Sequence, residues 1–272
     1  MGNKTKIKMG RSTVFVRIVS YLVVTLFALV CLLPFILMIS ASFSTESVIN
    51  KEGFGLLPKG FTIAAYSWVF RYPKMIIGSY AVTILMTVGG TVVGLFIIAM
   101  TGYALQRKDF AFRNGISFFI YFTTLFSAGM APTFIWVSRY LNLKGNYMAV
   151  FLQLLMTPWL IILMKNFAKS VPHEITESGK IDGAGDFKIF ISLVLPMLKP
   201  ALATVGLFLA LGYWNEWYNS MLYLGSAVTY KPLQYYLYNI INQASALKSS
   251  VAGANVSVSS LPSNTLKMAT TL

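Results

Sequence analysis

The chain has 272 residues, 56% of them hydrophobic and 11% charged, with a mean hydropathy of +0.67. A soluble domain is about 45–50% apolar and about 25% charged, so this composition excludes an ordinary soluble protein and indicates a membrane one. A net charge of +14 can signal a nucleic-acid partner, but here the basic residues stand between long apolar runs, where membrane topology explains them and nucleic acid is not expected.

A spanning helix needs about 20 mostly apolar residues. Five runs meet that length, at 18–42, 75–104, 115–138, 147–168 and 189–222. A sixth begins at Ser263 with "SNTLKMATTL" and stops at Leu272. That stretch is too short to cross a bilayer, so the last span is expected to be truncated. The fold class is therefore all-α. Residues 1–17 form a basic N-terminal segment and 18–272 a single transmembrane domain.

The first run exceeds the apolar core of a signal peptide and reads as an uncleaved span. Cys31, the single cysteine, lies inside it and has no partner for a disulfide or a metal site. In the second run, Gly90 and Gly94 form a G-x-x-x-G pattern, a device for close helix packing. Gly129 and Pro132 predict a simple kink in the third run, with a broken helix that lines a cavity as the alternative.

Orientation follows from lysine and arginine placement. Lys4, Lys6, Lys8, Arg11 and Arg17 precede the first span, and Arg107, Lys108 and Arg113 follow the second. Lys165, Lys169, Lys180 and Lys188 flank the connection between the fourth and fifth. An N-terminus inside places all of these on the cytoplasmic face. The segments 44–74 and 223–262 then face outward, and the Gly-, Ser- and Ala-rich part at 245–260 reads as a flexible outer loop.

The longest cytoplasmic loop, 170–188, is unusual. Of the eight acidic residues in the chain, Glu174, Glu177, Asp182 and Asp186 fall inside it. Ser170 is placed to cap a helix that Pro172 opens. Glu174 sits in the first turn, where the helix dipole favours a carboxylate. The helix runs to Asp182, and Gly183 supplies the left-handed stop. Asp186 is placed to cap the next helix. A short charged helix tied to two spans is a docking shape. The loop has no metal-ligand cluster, and its one histidine, His173, has no catalytic company.

Glu216 is the single acid within an apolar run, and intramembrane ionisable groups default to functional roles. It lies about 30 Å of helix beyond Pro196, near the outer end of the fifth span. Trp214, Asn215, Trp217, Tyr218 and Asn219 surround it. Aromatic faces beside amides and a carboxylate suit a sugar in a transport pathway. An interfacial aromatic belt is the alternative. Lys199, beside Pro200, is expected to snorkel to the cytoplasmic interface.

Glu177-Ser178-Gly179, Asp182-Gly183-Ala184 and Leu195-Pro196 resemble the "EAA" signature of bacterial ABC importer permeases, with Ser178 and Gly179 in place of its two alanines. "GYALQRKDF" at 102–110, "KPALATVGLFLALGYWNEWYNSMLYL" at 199–224 and "PLQYYLYNII" resemble segments of carbohydrate-importer permeases of the maltose type. "WNEWYNSMLYL" and "GMAPTFIWVSRYLNL" are most similar to the subgroup that imports complex oligosaccharides.

The resemblance implies a six-helix type I importer permease. The loop 170–188 would be the coupling helix, with Glu174, Glu177, Ser178, Gly179, Asp182, Gly183 and Ala184 meeting a cytoplasmic ATPase. The implied partners are a second, homologous permease, two cytoplasmic ATPase subunits, an extracytoplasmic sugar-binding protein and membrane lipid. No cofactor is expected in this chain, and ATP and magnesium would be bound by the ATPase. Consistently, the sequence contains no G-x-x-x-x-G-K-[ST] phosphate loop. An autonomous secondary transporter or channel for a small polar solute would instead need coupling-ion residues in its spans and often an internal repeat. Neither is visible.

Overall fold

The computed structural model describes residues 11–252 and 263–271, and their regular structure is helical throughout. Lys4, Lys6 and Lys8, and the expected outer loop beyond Ala252, lie outside the described residues. The chain divides into two compact units, Met1–Tyr72 with Ile240–Leu272, and Pro73–Asn239.

The first unit is built on α1 (Arg11–Ser42). Its apolar side chains from Phe15 to Ile36 are exposed, a surface that lipid or a partner chain must cover. Two short helices follow, α2 (Glu46–Glu52) and α3 (Ala64–Val69). The last described helix, α15 (Ser263–Thr271), packs on α1, α2 and α3. Its N-terminus needs acceptors for unpaired N–H groups. The buried Glu46 carboxylate supplies one, accepting from the Thr265 N–H at 2.9 Å and the Thr265 hydroxyl at 3.2 Å.

The second unit is organised around α4 (Pro73–Gln106). It continues through α5 (Arg113–Leu125), α6 (Met130–Ile135) with a π-helical turn at Trp136–Tyr140, α7 (Tyr147–Leu155) and α8 (Pro158–Ala168). After α9 (His173–Ile181) come α10 (Asp186–Ile189), a second π-helical turn at Phe190–Val194, and α11 (Leu195–Met197). Then follow α12 (Lys199–Trp214), α13 (Tyr218–Tyr223) and the first turns of α14 (Leu233–Ala252), whose residues from Ile240 on belong to the first unit. Residues 245–252, expected in a flexible loop, thus continue a helix instead.

In lipid, helices gain nothing from hiding apolar surface, so small residues that admit close approach decide which faces meet. One stripe of α4 does this. A Cβ on Gly90 would lie 2.3 Å from the Tyr213 ring, one on Gly94 2.9 Å from the Leu155 carbonyl, and one on Gly102 2.8 Å from Met164. These glycines seat α12, α7 and α8 on α4. The core of this unit gathers there, with Ile98, Met164, Ile189, Phe190, Val194 and Val205 fully buried.

Three expected spans are present as long apolar helices, Phe15–Ser42, Pro73–Gln106 and Tyr147–Ala168. The other two are bent. The third turns by 115° between Leu125 and Met130. The simple kink expected there is instead a break over residues 126–129, where Phe126 is extended and Gly129 takes φ +84°. Only glycine adopts that dihedral without strain. The fifth run, read as one helix over 189–222, turns by 85° between Met197 and Lys199 and ends at Trp214. Pro196 and Pro200 explain the turn. Each lacks an N–H and blocks the carbonyl one turn earlier.

Candidate functional site

The acid-rich loop folds into α9, and two faces of that helix do different work. Thr176 and Gly179 face inward and are buried. A Cβ on Gly179 would come within 2.9 Å of Ile189 and 3.1 Å of Leu193. This position therefore holds the helix close against the base of the fifth span. The Thr176 hydroxyl lies 3.4 Å from the Tyr103 hydroxyl, and the Tyr103 ring stacks on Phe190 at 5.7 Å. Glu174, Glu177, Ser178 and Ile181 are exposed. Their spacing of i, i+3, i+4 and i+7 makes one stripe. Ile181, at 85% exposure, is an apolar tip on an otherwise polar surface. His173 Nδ1 lies 3.0 Å from Glu177 Oε1 on the same side.

The end of α9 is fixed by its backbone. Ala184 N–H donates to the Gly179 carbonyl at 2.9 Å, and Gly183 N–H to that of Lys180 at 3.0 Å. With Gly183 at φ +73°, these two bonds form a Schellman turn. Ser170 does not cap α9. Its hydroxyl donates to the Phe167 carbonyl at 2.7 Å, closing the helix before it, and Pro172 stands at the N-cap. Asp186 does not cap α10 with its side chain either. Gly185 holds that position, and the Asp186 carboxylate turns to Arg107.

That contact belongs to a chain of charges. Arg107, at the end of α4, reaches Asp186 at 2.6 Å with Nη1 and Asp109 at 2.8 Å with Nε, and Nη2 pairs with Asp109 as well. Asp109 also accepts from Lys180 on α9 at 2.9 Å. Arg107 has only 14% of its side chain exposed and lies over the Tyr103 ring at 5.9 Å. Arg107 first, then Lys180, holds the Asp109 carboxyl well below the usual carboxylate range. Asp109, against a smaller cost of burial, and then Asp186 raise the Arg107 guanidinium further above its ordinary value. The strap ties the last turn of α9 and the start of α10 to the end of the second span.

The second candidate cluster lies where α12 gives way to α13. Trp214, Asn215, Trp217 and Tyr218 are exposed, and Glu216 and Asn219 half-buried. The Glu216 carboxylate accepts from the Asn219 N–H at 2.5 Å, the Asn219 amide at 3.0 Å and the Ser220 N–H at 3.4 Å. It thereby satisfies the first N–H groups of α13. Asn215 donates its amide to the Leu211 carbonyl at 3.0 Å. Trp217 stacks on Tyr238 at 4.7 Å and meets Tyr218 edge-on at 5.8 Å. Tyr218 donates its hydroxyl to Met130 Sδ at 2.9 Å, at the start of α6 just past the break in the third span.

Residues 99–266 match the family model of the binding-protein-dependent transport system inner membrane component. The chain belongs to that family. It is 39% identical to the polygalacturonan/rhamnogalacturonan transport system permease protein YtcP of Bacillus subtilis, over 90% of this chain and 84% of that one. It is 38% identical to protein LplC of the same organism, over 75% of this chain and 68% of the relative. Its structure resembles a bacterial ABC transporter involved in import of the acidic polysaccharide alginate. The TM-score is 0.77 at 30% identity, covering 97% of this chain and 94% of that one.

The chain is thus the membrane-embedded permease of an ABC importer, and nucleotide hydrolysis is the work of a separate protein. In this permease, sequence signals located α9, its left-handed stop and the aromatic cluster. They did not reveal the strap, because Asp109 and Lys180 stand 71 residues apart. Nor did they find Tyr238 or Met130 beside the aromatic cluster. The exposed Ile181 was legible in principle, as an apolar residue on the charged face of a short helix.

Proposed function

We propose that this permease imports a carbohydrate, an oligosaccharide, across the cytoplasmic membrane by alternating access, with its N-terminus and the 170–188 loop in the cytoplasm. It pairs with a second, homologous permease. Two ATPase subunits bind inside, holding ATP and magnesium, and a sugar-binding protein delivers substrate outside. The observation that carries the proposal is the stripe Glu174, Glu177, Ser178 and Ile181 on a helix held at its inner face and its C-terminal end. Such a stripe suits a cleft in the ATPase with basic walls and an apolar floor for Ile181. A displacement of α9 then reaches α4 through Lys180, Asp109 and Arg107, and the base of the fifth span through Gly179 and Asp186. The close packing of α4 on α12 carries it to the outer cluster.

Trp214, Asn215, Glu216, Trp217, Tyr218 and Asn219 form part of the substrate pathway. The exposed Trp214, Trp217 and Tyr218 rings supply stacking faces. Glu216 contributes mainly by fixing the geometry of α13, because its oxygens already accept backbone and amide N–H groups. The relatives' names support a sugar polymer or oligomer as cargo, since one relative is named for polygalacturonan/rhamnogalacturonan transport and a similar solved structure for alginate import. The test is gentle-detergent purification from the native membrane, followed by ATP hydrolysis with candidate oligosaccharides. Recovery with a second permease and two ATPase copies, and hydrolysis stimulated by one sugar with its binding protein, is the expected result. A lone chain or homo-oligomer without an ATPase contradicts it.

A further inference from the structure

Between α5 and α8, at the end of the bundle that carries α9, lies a recess of about 320 Å³. Its walls change character along their length. At the loop end stand Lys165, Asn166 and Lys169, and deeper stand Phe118, Tyr121 and Ile162. From Lys169 to Ile161 is about 12 Å of helix. Lys165 is half-buried and donates to the Ser117 hydroxyl at 2.7 Å. That hydroxyl in turn donates to the carbonyl of Arg113. Lys169 and Arg113 stand close enough for their charges to act on Lys165. No carboxylate lines the recess. An ammonium has three donors, and a single hydroxyl takes one of them.

Clustered like charges at the edge of a bilayer are costly unless an anion meets them. The occupant must be anionic at the loop end and apolar one to two turns deeper. A free phosphate ion satisfies the first demand only. A lipid satisfies both, and basic pockets between spans on this face of a membrane are suited to anionic headgroups. The α5 face beside it has no buried residue, so an acyl chain has open apolar surface to lie on at Phe118 and Tyr121.

We propose that this recess binds an anionic phospholipid of the adjacent leaflet, its phosphate held by Lys165 and Lys169 and its first methylenes by Phe118, Tyr121 and Ile162. The proposal requires that the chain spans a membrane and is independent of the coupling role of α9. An occupied site would brace α5 against α8 beside the coupling loop.

The test is native mass spectrometry of the whole complex, taken from phosphatidylcholine vesicles containing a minor share of phosphatidylglycerol. The wild-type complex is expected to retain phosphatidylglycerol well above its share in the vesicles. Each lysine replaced should lower that enrichment about fivefold, so Lys165→Gln with Lys169→Gln should lower it about 25-fold. Lys188→Gln, outside the recess, should leave it unchanged. Wild-type complex with no enrichment overturns the site without reference to any variant. Enrichment that inorganic phosphate abolishes overturns it in favour of a simple anion site. Loss of the second permease from the double variant overturns it in favour of a subunit interface. A chain recovered without an ATPase that still enriches phosphatidylglycerol would sink the importer assignment and leave the lipid site standing.

Discussion

Gly183 and Gly179 differ in what they tolerate. A side chain at Gly183 would meet nothing within 4 Å, but its φ of +73° strains any L-residue. Replacement by leucine should cost about 1–2 kcal/mol of turn geometry without a clash inside the chain. The expected outcome is a permease that assembles normally but hydrolyses ATP without matching uptake, read as the ratio of the two rates. Gly179→Ala crowds Ile189 and Leu193 instead. Overpacking there costs about 1–3 kcal/mol against a helix-propensity gain of about 1 kcal/mol. Glycine in place of the signature's alanine is therefore a fit to this interface. At Glu216, capping dominates, so Glu216→Gln should keep most uptake, its amide oxygen still accepting from Asn219. Glu216→Ala should lose it, at a cost of about 1 kcal/mol in the start of α13. Uptake lost equally in the two variants would place the carboxylate charge, not the cap, in the pathway.

At the scale of elements, the strap makes a ranked prediction. Lys180 and Asp109 are about half exposed, and exposed pairs contribute about 0.2–1 kcal/mol. Arg107 is mostly covered and serves two carboxylates. Arg107→Gln should therefore impair coupling far more than Lys180→Gln, measured as uptake per ATP. The lowered Asp109 carboxyl fixes the sign of the pH dependence. Pairing by a depressed acid is complete above its ordinary range and lost as pH falls through the lowered value. The strap should thus stay fully paired and add no pH dependence to uptake per ATP between about pH 8 and about pH 5. Added salt should weaken the exposed Lys180 link before the covered Arg107 one. The helices themselves were legible wherever apolar length decided them, as in Phe15–Ser42 and Pro73–Gln106. The breaks were not, because hydropathy does not register direction. "FSAG" and the pair Pro196 and Pro200 keep their runs apolar while turning the backbone by 115° and 85°. The π-helical turn at Phe190–Val194, which brings Phe190 under Tyr103, left no periodic mark either.

For the whole molecule, the family was legible because a left-handed glycine and its neighbouring acids sit at fixed spacing in the acid-rich loop 170–188. Contacts distant in sequence were not, among them Lys180 with Asp109 and Trp217 with Tyr238. The bare apolar surface of α1 needs lipid or another chain, in keeping with a permease that works within an assembly. The central claim is that the outward stripe of α9 is where ATP hydrolysis enters this permease. Site-directed cross-linking tests it most directly. With Cys31→Ser removing the single native cysteine, Ile181→Cys places a thiol at the exposed tip of the stripe. A short bifunctional reagent should join it to the ATPase subunit in the intact complex, and the linked complex should lose sugar-stimulated ATP hydrolysis. An intact, sugar-responsive complex that gives no product from position 181, while cysteines elsewhere on the loop-side surface do cross-link to the ATPase, would contradict the assignment of α9 as the coupling helix.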